Sequence, residues 1–301
     1  MDCMASRPQI EGGTKAMSLF EVSPNQYHQK LKVDRANIFS PTSWLSKSCL
    51  WELNESSLFK WRYCPREVKP TPAMAWGSLV DVLATTPDLE GSELAVSPYP
   101  DFRTKEAREW KEEQLALGMT IVDQETLAEG RKAARMLTHT CKAVAEIFAK
   151  SKTQVIVGGK INGIQVKGLV DLAPEGEDFL TDLKTTSNFT IEGFGRDLAT
   201  RGYHIQAGLY LALWNSMFPD DQRTRFKIIW QSSEAPFEAC VTEVSQPDIE
   251  AGWYWATKQI ERLAQATKDN HWPTAFSEQE IIITRPVWAS IIEDAKITGE
   301  Q

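Results

Sequence analysis

The sequence is poor in most features that mark a specialised chain. Its five cysteines, Cys3, Cys49, Cys64, Cys141 and Cys240, are odd in number and scattered, with no Cys-x-x-Cys pair. That excludes a disulfide framework and a zinc knuckle and favours a reducing compartment. Cys64-Pro65 lacks a downstream cysteine cluster with which it could hold an iron–sulfur group. Long apolar runs are absent, and residues 1–15 have neither a basic start nor an apolar core, so a cytoplasmic protein with no membrane span is expected. No Walker motif, internal repeat or low-complexity linker occurs, which removes a P-loop ATP site and a solenoid from consideration. Histidine is scarce too, at 4 residues; His139 sits among polar neighbours and reads as a surface or capping residue.

Positive charge is also in short supply. The net charge is −8, which speaks against a general affinity for polyanions. The deficit is uneven: residues 1–70 carry 10 Lys/Arg against 7 Asp/Glu, and the remainder carries 23 against 34. Any phosphate contact therefore has to be local. The 301 residues, 42% of them hydrophobic, are enough for a substantial core, and we expect an arm over 1–40 followed by one domain over 41–301.

Along the chain, a short helix is expected near 25–31, and hydroxyl caps before apolar repeats predict two more between Pro41 and Cys64. Trp44, Trp51, Trp61 and Tyr63 alternate there with Lys47, Lys60, Arg62 and Arg66, a mixture that suits either a core with a basic rim or stacking on bases. Residues 75–84 read as a buried helix in which Asp81 needs a partner or a function. We expect a loop over 87–100, a charged helix over 104–117 and one long helix over 123–150. Strands at 225–231 and 237–244, the second suited to an edge, and an amphipathic helix at 247–268 follow later.

The informative stretch lies between. Asn162-Gly163 predicts a hairpin turn after Gln154-Val-Ile-Val, leading into a strand through Ile164, Val166, Leu169 and Val170. Pro174-Glu-Gly-Glu177 then turns the chain into Phe179-Leu-Thr-Asp-Leu-Lys184. A turn centred between Gly176 and Glu177 sets Asp171 opposite Asp182, with side chains roughly 5 Å apart on one face. Lys184, two residues beyond Asp182, shares that face, while Leu183 points into the core. Paired carboxylates repel unless a hard divalent cation sits between them, and such an ion with an ammonium alongside is equipment for phosphodiester hydrolysis. A lone Asp-x-Lys triplet is more often a solvated surface hairpin, so context decides.

The context is specific. Gly-Leu-Val-Asp171 followed by Thr-Asp182-Leu-Lys184-Thr-Thr resembles the PD-(D/E)xK nuclease signature. The helix Gly202-Tyr-His-Ile-Gln206-Ala-Gly-Leu-Tyr210, in which Tyr203, Gln206 and Tyr210 share a face, resembles the Q-x-x-x-Y helix of the lambda-exonuclease and RecE-type branch. The resemblance spans roughly residues 40–290. It implies an α/β, restriction-endonuclease-like core, a central mixed sheet flanked by helices, with the N-terminal helices walling a DNA cleft. It implies a Mg2+-dependent (or Mn2+-dependent) exodeoxyribonuclease acting on duplex DNA ends, typically 5′ to 3′, in recombination or repair. Asp171, Asp182 and the Leu183 carbonyl would ligate metal, Lys184 would position the attacking water, and Gln206 and Tyr210 would brace the site. Relatives form homo-oligomers and work with single-strand annealing proteins.

Two positions depart from that pattern. Asp81 stands where relatives carry a His, and it could serve as a further metal ligand; Gln154 stands where they often carry a Glu, and a neutral amide is a poorer ligand. An endonuclease on the same fold, and a module that binds without cutting, therefore remain as competing readings.

Overall fold

The alternating apolar pattern between 151 and 186 folds into three successive antiparallel strands, in a computed structural model that describes residues 10, 22, 27–65, 70–276 and 280–287. The elements run α1 (Tyr27–Lys30), β1 (Leu45–Ser46), α2 (Lys47–Trp51), α3 (Leu58–Tyr63), α4 (Pro72–Thr85), α5 (Glu90–Glu93), β2 (Leu94–Val96), α6 (Lys105–Ala116), β3 (Thr120–Val122), α7 (Gln124–Thr140), α8 (Lys142–Lys150), β4 (Ser151–Ile161), β5 (Ile164–Pro174), β6 (Phe179–Thr186), α9 (Ile191–Thr200), α10 (Tyr203–Met217), β7 (Arg225–Ser232), β8 (Ala239–Glu243) and α11 (Gln246–Asp269). Most of the expected 1–40 arm, the start of its helix at Asn25, and Arg66 lie outside the described residues.

Both predicted turns form. Asn162 and Gly163 take left-handed backbone (φ 51° and 81°) between β4 and β5, and Gly176 does so (φ 74°) between β5 and β6. β4 pairs along nearly the whole of β5, so β1, at Val166 and Lys167, and β6, at Leu172, share the other edge of β5. β6 runs parallel to β7, and α9 and α10 make the crossover; β8 closes the sheet antiparallel at its edge, as its polar alternation predicted. The result is the expected mixed sheet flanked by helices.

Period-2 alternation divides two cores between the sheet faces. Leu180, Phe226, Ile228 and Trp230 pack against Ile205, Leu209 and Leu213 of α10 and Ile260 and Leu263 of α11. Leu172, Phe179, Leu183 and Ile229 pack against Val80 of α4, Ala133 and Leu137 of α7, and Val144 and Ile147 of α8. α10 and α11 cross with their backbones touching, because a methyl at Gly208 would overlap the Ile249 carbonyl and one at Gly252 the His204 carbonyl. Trp44 and Trp61 are buried, and Trp61 stacks on Trp272. Trp44 and Trp61 are therefore core, whereas Trp51 is half-buried and Tyr63 is exposed.

Two expectations fail. The loop at 87–100 contains α5 and β2, and β2 pairs parallel with β3 in a second, two-stranded sheet. Three-residue strands joined across 23 residues leave no periodic trace, so pairing was invisible until the partner was in place. The single helix at 123–150 is two. The chain turns extended at Cys141 (φ −139°, ψ 113°), where Thr138-His-Thr140 is a run of weak helix formers and the Thr140 hydroxyl accepts from the Ala239 N–H of β8.

Candidate active site

β5 and β6 place the paired acids. Their ladder reduces, among the described residues, to Leu172 opposite Thr181, the register that sets Asp171 against Asp182. Beyond that pair the Leu183 N–H donates to Asp171 Oδ2 (2.8 Å), so a side-chain carboxylate takes the acceptor role on the β5 side. Asp182 is buried at 3% exposure with both oxygens engaged: Gln206 Nε2 donates to Oδ1 (2.6 Å), and the Lys184 ammonium pairs with Oδ2. Lys184 Nζ lies 5.1 Å above the Tyr203 ring. Tyr210 braces α10 against the strand carrying Asp171. Its ring lies over Gly168, where an added methyl would come within 2.7 Å of Cε1, so only glycine lets α10 approach closely enough for Gln206 to reach Asp182.

Asp81 reaches the same region from α4. Thr71 caps this helix by accepting from Met74 N, with Pro72 in the first turn. Gln154 Nε2 stands 3.2 and 3.1 Å from the two Asp81 oxygens and 3.0 Å from Thr85 Oγ1, and Thr85 Oγ1 also donates to the Asp81 carbonyl (2.8 Å). The predicted acids, lysine, glutamine and tyrosine are thus brought together. Thr85 was missed because a helical Thr carries no sequence signal of its own.

Electrostatics bind the group into one unit. Burial, then Asp182 and Asp81, push the Asp171 carboxyl well above the carboxylate range against the pull of Lys184 and the Leu183 N–H. Burial, then Asp182, push Asp81 up to about 7, with Lys184 and Thr85 opposing. For Lys184 burial acts to lower the value, but Asp182 and Asp171 outweigh it and the ammonium is held above its ordinary range. Three carboxyls thus lean on one lysine, a local shortage of positive charge.

The group opens into a cavity of about 1090 Å³, with Asp81, Asp171, Leu183 and Lys184 on its wall. Its sides come from the first turns of α4, the Ser97–Phe102 region and β3, and from α9 with Arg196 and Arg201. The N-terminal helices do not provide the expected wall: α2 and α3 pack instead beside α10 and α11, with Trp51 against Trp255 and Trp61 against Trp272. Lys47 of that segment reaches Arg201 at the rim, donating to its carbonyl, with Nζ 5.5 Å from both the Trp51 and Tyr203 rings. Burial, then Lys184, lower it to about 7. Arg196 and Arg201 were not anticipated, since basic residues on an amphipathic helix ordinarily read as a solvated face.

The donors at hand are all oxygen, which suits Mg2+ or Mn2+ rather than a soft ion. Among the described residues no three Asp, Glu, His or Cys groups converge on one point, so an ion here would draw on the carboxylate pair, the Leu183 carbonyl and water. The shared charge shortage is what such an ion relieves.

A family model described as a PDDEXK-like domain of unknown function (DUF3799) matches residues 48–284. No curated protein matches the chain. Among solved structures, the crystal structure of a candidate exonuclease from Eubacterium rectale aligns at a TM-score of 0.55 with 14% sequence identity, covering 93% of this chain and 99% of that one. SSO0001 (TM-score 0.28, 14% identity, 76% of this chain and 86% of that one) and LHK-Exo in complex with dAMP (0.24, 12%, 65% and 89%) align far more loosely.

Proposed function

The chain belongs to the family of PDDEXK-like domains of unknown function (DUF3799), and from that premise we propose that it is a divalent-metal-dependent deoxyribonuclease that degrades duplex DNA from an end. The observation that carries this reading is the opposition of Asp171 and Asp182 across β5 and β6, with the Lys184 ammonium on Asp182, and with Asp171 and Lys184 on the wall of a cavity of about 1090 Å³. The likeness of the stretch from Gly168 to Tyr210 to the lambda-exonuclease and RecE-type branch adds the finer assignment: 5′ to 3′ digestion that leaves a 3′ tail for recombination or repair.

Asp171, Asp182 and the Leu183 carbonyl would hold Mg2+ or Mn2+, which when bound neutralises charge at the scissile phosphate and acidifies a bound water. The protein's own groups do the rest. Leu183 N–H and Gln206 fix one oxygen of each acid, so the carboxylates need no reorganisation when substrate arrives. Lys184 keeps its proton and donates from Nζ, orienting the attacking water and offsetting charge that develops on the phosphate. Arg196 and Arg201 lie along the cavity where flanking phosphates would run.

End-labelled linear duplex and closed circular DNA, incubated with Mg2+ or with EDTA, test the proposal. Metal-dependent loss of the linear substrate alone is expected. Cutting of circles would indicate an endonuclease, and metal-independent binding without cleavage would indicate a non-catalytic module.

A further inference from the structure

The small parallel pair of β2 and β3 is joined through α6, and the residues directly after both strands, Ser97 and Asp123, line the cavity that holds Asp171 and Lys184. Loops at the carboxyl ends of parallel strands are where α/β units bind ligands. The loop leaving β2 is pinned. Ser97 N–H donates to the Val122 carbonyl (2.7 Å), Ser97 Oγ accepts from the Tyr99 N–H (3.1 Å), and Asp101 Oδ1 accepts from the Arg103 N–H (2.9 Å). It presents a group of rings. Phe102 lies nearly parallel to Trp110 of α6 (centroids 6.4 Å apart, 7° between planes), Tyr99 meets Trp110 edge-on (6.1 Å, 65°), and Lys111 Nζ stands 4.6 Å from the Phe102 ring centre. All three rings are half-buried, and they belong to none of the hydrophobic cores among the described residues. They do little to anchor α6, in which only Ala107 is buried. Tyr99 and Phe102 line the cavity instead.

We propose that Tyr99, Phe102 and Trp110 form a shelf on which unpaired bases of the substrate strand stack, so that the strand to be cut lies in the cavity separated from its complement. Within a duplex each base is covered on both faces by its neighbours, and a protein ring meets a base only at an end or along an unpaired strand. Rings set beside cations hold single strands without regard to sequence, the rings taking bases and the cations phosphates. Lys111 at the shelf, with Arg196 and Arg201 on the cavity wall, supplies the cations. The inference rests on the nuclease reading above and adds to it the form of the substrate, an end with an unpaired extension.

Fluorescence anisotropy of the full chain in Ca2+, with a labelled single-stranded oligothymidylate and an abasic strand of equal length, separates stacking from phosphate contact. The unaltered protein should bind oligothymidylate roughly five- to hundredfold more tightly than the abasic strand, the range for stacking of one base on a ring. Phe102→Ala should remove most of that preference by weakening oligothymidylate binding alone, and Phe102→Trp should keep it. Phe102→Leu retains apolar volume without a ring and should behave as the alanine variant does; thermal melts confirm that each variant is folded. Equal affinity of the unaltered protein for the two strands, failure to bind either, or a Phe102→Ala variant that loses both alike would overturn the shelf. So would a Phe102→Leu variant that binds oligothymidylate as the unaltered protein does. Incubation with Mg2+ and linear DNA keeps the two readings apart. Cleavage without a base preference would strike the shelf and spare the nuclease, whereas a Phe102-dependent preference without cleavage would uphold stacking and strike the nuclease.

Discussion

Gln206→Leu isolates the contact on which the geometry of Asp182 depends. The Gln206 amide lies 2.6 Å from Asp182 Oδ1, and the two side chains are 8% and 3% exposed, so water does not replace the lost donor. A hydrogen bond to a charged acceptor contributes roughly 1.5–3 kcal/mol. Leucine fills a similar volume, so the cavity contribution is small. The expected loss is about 2 kcal/mol at pH 7, a fall of about 4–8 °C in the thermal midpoint for a domain of this size. With Asp182→Asn already present the acceptor is neutral, and the same replacement should cost about half as much. Thermal melts of the four proteins in EDTA measure the coupling. A cost below about 0.5 kcal/mol, or an equal cost in both backgrounds, would show that Asp182 is not held by this amide.

Lys184→Ala should abolish cleavage in the end-labelled assay, and unlike an ordinary strand-end lysine it should also lower the melting temperature, because its ammonium is the counter-charge of a buried acid. Gly168→Ala places a methyl 2.7 Å from Tyr210 Cε1 and 3.0 Å from Val157 Cγ2; a loss of about 1–3 kcal/mol is expected in urea unfolding, and less when Tyr210→Leu makes room. Lys167 is buried with Nζ on the Tyr27 carbonyl (3.0 Å) and 3.7 Å over the Tyr27 ring, beside His28 and Cys49, and burial lowers its pKa from 10.5 to about 8. Between pH 8 and 10.5 the unfolded chain keeps a proton that the folded one has released, so stability rises with pH across that window and the full penalty, roughly 3 kcal/mol at most, applies below it. Lys167→Met should gain stability at pH 7 and lose the rise between pH 8 and 10; an unchanged pH profile would refute the assignment.

Much of the site was legible because β-strand geometry is local. Once Gly176 places the turn, the register of Asp171 and Asp182 and the orientation of Lys184 follow from a period of two residues. The helical spacing of Tyr203, Gln206 and Tyr210 follows equally from a period of 3.6. What failed had no local signature. The pairing of Leu94–Val96 with Thr120–Val122, the break at Cys141 and the true walls of the cavity all depend on partners distant in sequence.

The amino-acid order by itself determined the hairpin, the acid pair and its lysine, and the face of α10 that meets them, since each rests on spacing within a single element or turn. Only the tertiary structure decided that Asp81 and Gln154, 73 residues apart, are partners rather than two independent defects. Hydrogen bonds between side chains on separate elements depend on how α4 is laid across the sheet, and no periodicity within α4 or β4 records that placement.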